Sequence, residues 1–145
     1  MTELIILLVV LVAALAVGLF VRARAGKVRD VRPDGAAPAR RAELLTEVGV
    51  APGVPTVLHF SADWCGPCAA VRRVVGSAIA DLSTSASPPV EVELDIDRHP
   101  VIAKELGVLS LPTTFIFDAD LTERFRISGV PAANDLRSAL APLTV

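Results

Sequence analysis

Leu58–Arg73 reads LHFSADWCGPCAAVRR and holds both cysteines of the chain, Cys65 and Cys68, with Gly66 and Pro67 between them. His59, one of two histidines, stands six residues before the first cysteine. Two thiols at this spacing can help bind a metal, staple a loop or exchange electrons. A zinc site wants four ligands near tetrahedral geometry. Two cysteines, a strand residue His59 and a loop residue His99 are poorly placed to supply them, so no metal is expected. A disulfide across two residues closes almost no loop and constrains the unfolded chain little. Thiol–disulfide exchange accounts for more of the stretch. The nucleophile in that reaction is a thiolate. Placed at a helix N-terminus, Cys65 would meet free N–H groups and the positive end of a dipole, which favour the thiolate. Gly66 and Pro67 make a tight start that leaves Cys65 outward and Cys68 one turn inward.

The surrounding sequence alternates helix and strand signals. Arg40–Val48 (RRAELLTEV) places Leu44, Leu45 and Val48 on one side of a short helix, and APGVP stops it. Thr56–Ser61 (TVLHFS) is an apolar run consistent with a buried strand. A helix from the cysteines to about Leu82 buries Val71, Val74, Val75, Ala78, Ile79 and Leu82. Val90–Asp97 (VEVELDID) alternates apolar and acidic residues, as a strand with one charged side does. Pro100–Leu106 is a short helix ended by Gly107. Thr113–Phe117 and Arg124–Ser128 flank a turn and form a hairpin, and a last helix runs from Pro131 or Asn134 to near Ala141. The expected class is α/β: a mixed sheet flanked by helices, with the first strands parallel and the hairpin as an antiparallel edge.

ADWCGPC, Ala62–Cys68, resembles the active-site motif of the thioredoxin family. The stretch ELDIDRHPVIAKELGVLSLPTTFIFDAD resembles the same family from its central strand to its hairpin, in the same order and spacing. The resemblance covers about residues 40–145. It implies a thioredoxin-like fold in which Cys65 attacks, Cys68 resolves, and Trp64, Gly66, Pro67, Leu111, Pro112 and Gly129 shape a groove for a substrate strand. It also implies a cis peptide at Pro112. No cofactor beyond the Cys65–Cys68 disulfide is expected. Two positions depart from the family's pattern. A buried aspartate usual six residues before the first cysteine is His59 here, and a lysine usual in the central strand is Glu93. The pair reads as charge-swapped. A neutral His59 held by Glu93 offers the proton acceptance that the family's aspartate is thought to provide. Packing in the sheet is the alternative role for His59. An aromatic usual one residue after Phe60 is Ser61, which predicts a wetter site.

Outward from this domain the composition changes. Leu4–Val21 is 18 residues without a charge or amide, roughly 27 Å as a helix and enough to cross a hydrocarbon core. Three readings compete: a retained anchor, a cleaved signal and a buried core helix. The segment before the apolar run has no Lys or Arg, and Ala23-Arg24-Ala25, though spaced like a cleavage site, sits in a basic stretch. Both features favour an anchor. Arg22, Arg24, Lys27, Arg29 and Arg32 follow the segment, which by the positive-inside rule puts the N-terminus outside and the rest in the cytoplasm. Residues 22–39 read as a basic, Pro/Gly/Ala-rich tether, with a weakly signalled strand at Lys27–Val31. From Ala42 onward seven basic residues meet thirteen acidic ones, which argues against a nucleic-acid partner.

The expectation is a single-pass cell-membrane protein: anchor 1–21, tether 22–39 and a thioredoxin-like domain 40–145. It acts as a protein-disulfide reductase facing the cytoplasm, where the redox poise favours dithiols. Its partners are disulfide-containing protein substrates, an electron-donating reductase and, through residues 4–21, the membrane. An exported oxidoreductase and a non-catalytic docking module are the rivals. The Ala/Val/Arg-rich usage fits a GC-rich bacterial genome.

Overall fold

The computed structural model describes residues 1–31 and 39–145. The elements are α1 (Thr2–Arg24), β1 (Val28–Asp30), α2 (Ala39–Glu47), β2 (Thr56–Ser61), α3 (Cys68–Asp81), β3 (Val90–Asp95), α4 (Pro100–Glu105), β4 (Thr113–Phe117), β5 (Glu123–Ser128) and α5 (Ala133–Leu140). One sheet of order β1-β5-β4-β2-β3 forms the middle layer. β2 and β3 are parallel, and the other three neighbouring pairs are antiparallel.

Strand alternation assigns the two faces. Leu58 and Phe60 of β2 point to one side, where they meet Phe115 and Phe117 of β4, Leu94 of β3, Leu45 of α2 and Ile102 of α4. Phe60 and Phe115 meet edge to face with centroids 6.0 Å apart, a geometry that aromatic quadrupoles favour. Val57, Ile116 and Ile127 point to the other side, against Val71, Val75 and Ala78 of α3 and Leu136 of α5. His59 shares the Val57 face by the same alternation. All six residues of β2 are buried, because the strand is paired on both edges and covered on both faces.

Two expectations need correction. The β4–β5 hairpin is not the edge of the sheet, since β1 lies outside β5. The boundary drawn at residue 21 falls inside a helix, whereas the one drawn at residue 39 falls at the start of α2. The helix continues to Arg24, and after three residues the chain joins the sheet as β1. Of the expected tether, residues 32–38 lie outside the described residues. No residue of α1 is buried, so it is not a core helix of this domain. By length and composition it can cross a membrane.

Gly26 makes the entry to β1 possible. It has φ of +78°, and an added Cβ would collide with the Val130 carbonyl. Gly26→Ala should therefore weaken β1 docking by about 1–2 kcal/mol from the left-handed conformation alone, and more from the collision. Val31, whose N–H donates to the Arg124 carbonyl at 2.9 Å, should exchange its amide proton faster in the variant, while the β2 amides keep their protection. Unchanged exchange at Val31 would show that β1 stays docked.

Candidate active site

The sheet delivers both cysteines to its end. β2 finishes at Ser61, and the chain turns with the Cys65 N–H donating to the Ala62 carbonyl at 3.0 Å. α3 begins at Cys68 with Pro67 as its N-cap. Cys65 thus lies in the turn ahead of the helix rather than in its first residues. The two cysteines form a disulfide, S–S 2.05 Å and Cα–Cα 5.6 Å. Cys65 is half-buried and Cys68 is buried, with Cys68 Sγ 3.9 Å from the Phe60 carbonyl oxygen. Gly66 and Pro67 are exposed. The Leu111–Pro112 peptide is cis. The Gly129 N–H donates to the Pro112 carbonyl at 2.8 Å, which brings together two of the positions expected to shape a groove. Trp64 is exposed, its indole Nε1–H held by Asp97 Oδ2 at 3.1 Å. Among the described residues no three His, Cys, Asp or Glu side chains form a metal-sized group.

The charge-swapped pair takes a different form from the expected one. His59 and Glu93 are opposite each other in the β2–β3 register. Yet His59 Nε2 bonds Glu91 Oε1 at 2.8 Å, one register step away on the same face. Glu93 is taken by Arg72 of α3, whose Nε donates to both carboxylate oxygens at 2.7 and 2.9 Å. Burial would raise the Glu93 carboxyl, but hydrogen bonds from Ser61 and Arg72 and the charges of His59 and Arg72 hold it below the ordinary value of 4.5. Ser61 is itself buried and belongs to this network. His59 is fully buried, and its Nδ1 has no partner among the described residues. Thr114, opposite it on β4, has an Oγ1 in the same condition.

Sequence reasoning missed Glu91, Arg72 and Asp97. Strand alternation placed Glu91 and Glu93 on one face but could not choose between them. The choice is made by Arg72, one turn into a helix packed over that face.

Comparison with known proteins agrees with this geometry. The profile of the Thioredoxin family matches residues 45–141. An M-type chloroplastic thioredoxin of Chlamydomonas reinhardtii is 31% identical over 114 residues, covering 78% of this chain and 70% of its own. A thioredoxin of Streptomyces clavuligerus is 28% identical over 88 residues, covering 61% and 78%. The thioredoxin structure of Fasciola hepatica shares the fold at a TM-score of 0.55 and 24% identity, over 70% of this chain and 89% of that one. The chain belongs to the thioredoxin family and is a thiol–disulfide oxidoreductase. Membership of this family supports disulfide-containing protein substrates and reductases as partners in general terms.

Two outcomes follow from the polar network. A double-mutant cycle of His59→Ala with Glu91→Gln should show a coupling of about 1–2 kcal/mol, and His59→Ala with Glu93→Gln a smaller one. Stronger coupling to Glu93 than to Glu91 would reverse the partner assignment. A carboxyl held below its unfolded value stabilises the fold above that value, and the stabilisation is lost as pH falls through the folded value. Urea unfolding of wild type and Glu93→Gln should differ most near neutral pH. The gap should close once the pH drops well below 4.5, the ordinary carboxyl value.

Proposed function

We propose that this chain is a membrane-tethered protein-disulfide reductase whose domain faces the cytoplasm. The observation that carries the redox role is the pairing of a half-exposed Cys65 with a buried Cys68 in one disulfide at the start of α3. Starting from the dithiol, the Cys65 thiolate attacks one sulfur of a substrate disulfide. A mixed disulfide forms and the other substrate sulfur leaves as a thiolate. Cys68, deprotonated, then attacks Cys65 Sγ and releases the second substrate thiolate. Two electrons pass to the substrate and two protons end on its thiols. The protein is left as the Cys65–Cys68 disulfide, and a dithiol-bearing reductase returns it to the starting state.

His59 is the proton acceptor for Cys68 in this scheme. Its ring lies on the α3 face, one residue before the Phe60 carbonyl that touches Cys68 Sγ. Nε2 is held by Glu91, which leaves the unpartnered Nδ1 to take the proton directly or through a water. Trp64, Gly66, Pro67, Leu111, Pro112 and Gly129 form the substrate groove. The membrane role rests on α1, which is apolar and wholly unburied, and its orientation rests on Arg22 and Arg24 in its last turn and on Lys27 and Arg29 just beyond it.

Kinetics on a small disulfide-bonded protein test the chemistry. Cys65→Ser should abolish reduction, and Cys68→Ser should accumulate mixed disulfides. His59→Ala should slow resolution of the mixed disulfide far more than its formation, at or below about 10²-fold, the low end for a positioned base. Substantial activity in Cys65→Ser would remove it as the nucleophile. For topology, Ala36→Cys in a Cys65→Ser, Cys68→Ser background should resist an impermeant thiol reagent in intact cells and react after lysis. Labelling in intact cells would establish the exported orientation instead.

A further inference from the structure

The short link between α1 and β1 brings the substrate groove to the end of the apolar helix. Ser61, Asp95, Thr113 and Ser128 all lie at the active-site end of the sheet. β1 runs antiparallel to β5 with Val28 opposite Ile127, so the chain enters the sheet at this same end. The Gly26 N–H donates to the Ser128 carbonyl at 2.6 Å. A Cβ on Gly129 would sit 3.5 Å from the Ala25 Cβ, and Gly129 bonds the Pro112 carbonyl. An unbroken run of contacts leads from the end of α1 to the groove proline.

Helix geometry sets the height. The apolar run ends at Val21 and Ala25 is four residues further, about 6 Å at 1.5 Å per residue. The polar head-group layer is about 5–8 Å deep on each side of the hydrocarbon core. Ala25, and Gly129 against it, therefore fall at head-group depth when α1 spans the bilayer. The exposed apolar side chains agree. Trp64, at 70% exposure, Val101, Leu109, at 97%, and Val130 all lie on segments at the active-site end of the domain. Tryptophan favours the membrane–water interface.

We infer that this junction holds the groove against the bilayer surface, so that the substrate is a disulfide of another membrane protein lying in the head-group layer. The inference rests on the membrane-tethered reading and names the substrate class of the same site. The reaction is the exchange given above, with the two electrons of the Cys65/Cys68 dithiol passing to the membrane protein's disulfide. A freely soluble disulfide reaches the groove poorly in this arrangement. A juxtamembrane disulfide is confined to the same thin layer and gains in effective concentration.

The test uses the full chain in vesicles of phosphatidylcholine and phosphatidylglycerol. Two designed transmembrane peptides carry the same disulfide-closed loop, one about three and the other about thirty residues from the span. The reduced protein should open the near loop at least about tenfold faster, a modest share of what tethering can provide. A flexible insert of about ten Gly and Ser residues between Arg24 and Ala25 should erase that preference. Trp64 is the only tryptophan, so its emission in the reduced protein should be quenched by head-group spin-labelled lipid and recover in the insert variant. Equal rates on the two loops, a preference that survives the insert, or unquenched Trp64 would each overturn the inference. Vesicle flotation separates the causes. A protein that floats yet shows no preference leaves the tether standing and removes only the facing groove. A protein that does not float removes the tether and the inference with it. Failure to reduce either loop, or a soluble disulfide in detergent, removes the redox reading.

Discussion

β2 is hydrogen-bonded along both edges and covered on both faces, so none of its six residues reaches water. A strand in that position admits no register slip, because moving by one residue would turn Val57 and His59 into the aromatic cluster and Leu58 and Phe60 toward α3. It also ends where the chemistry begins. The backbone beyond Ser61 must leave the sheet and reverse into α3, and the cysteines occupy that reversal. The Cys68 environment is set from the same strand through the Phe60 carbonyl. Parallel pairing to β3 and antiparallel pairing to β4 then align the ends of three strands beside the disulfide, with the Leu111–Pro112 peptide leading into β4.

A fully buried imidazole on β2 carries a solvation cost that apolar neighbours cannot offset. Glu91 meets it from the edge strand with a side chain still 33% exposed. That position lets water support the carboxylate while one oxygen reaches inward. Glu93, one step closer to the active-site end, is neutralised by Arg72 in a two-oxygen contact, a geometry suited to guanidinium and carboxylate. Two acids therefore serve two bases without crowding each other. The arrangement needs α3 in place, since Arg72 comes from the helix that the cysteine motif starts. The polar network and the dithiol are thus built from the same two elements.

Much of this was legible in the sequence. TVLHFS announced a buried strand, VEVELDID a strand with one acidic side, and the valine and alanine spacing after the cysteines a one-sided helix. These signals are local and repeat with the period of the element. The partner of His59 was not legible, because period-two alternation puts Glu91 and Glu93 on the same face and only a helix packed from elsewhere decides between them. β1 was barely legible for a related reason. Val28-Arg29-Asp30 has one β-branched residue and two charges, and it is extended because the free edge of β5 is there to pair with. The composition of residues 22–39 suggested a tether, yet the part nearest the helix is bound to the sheet.

A docked strand joins a helix to a domain differently from a flexible linker. A flexible linker would fix only the distance of the domain from its helix, leaving the direction of the dithiol random. Three residues followed by a paired strand fix direction as well, since Gly26 and Gly129 meet at the groove end. The docked strand has a second consequence. Exposed edges invite pairing with other chains, and β1, only three residues long, is the edge strand beside β5. The other edge is β3, whose acids turn toward α3 and whose apolar side chains turn toward α2 and α4. Gly129 thus lies between the Pro112 carbonyl and the first residues beyond α1.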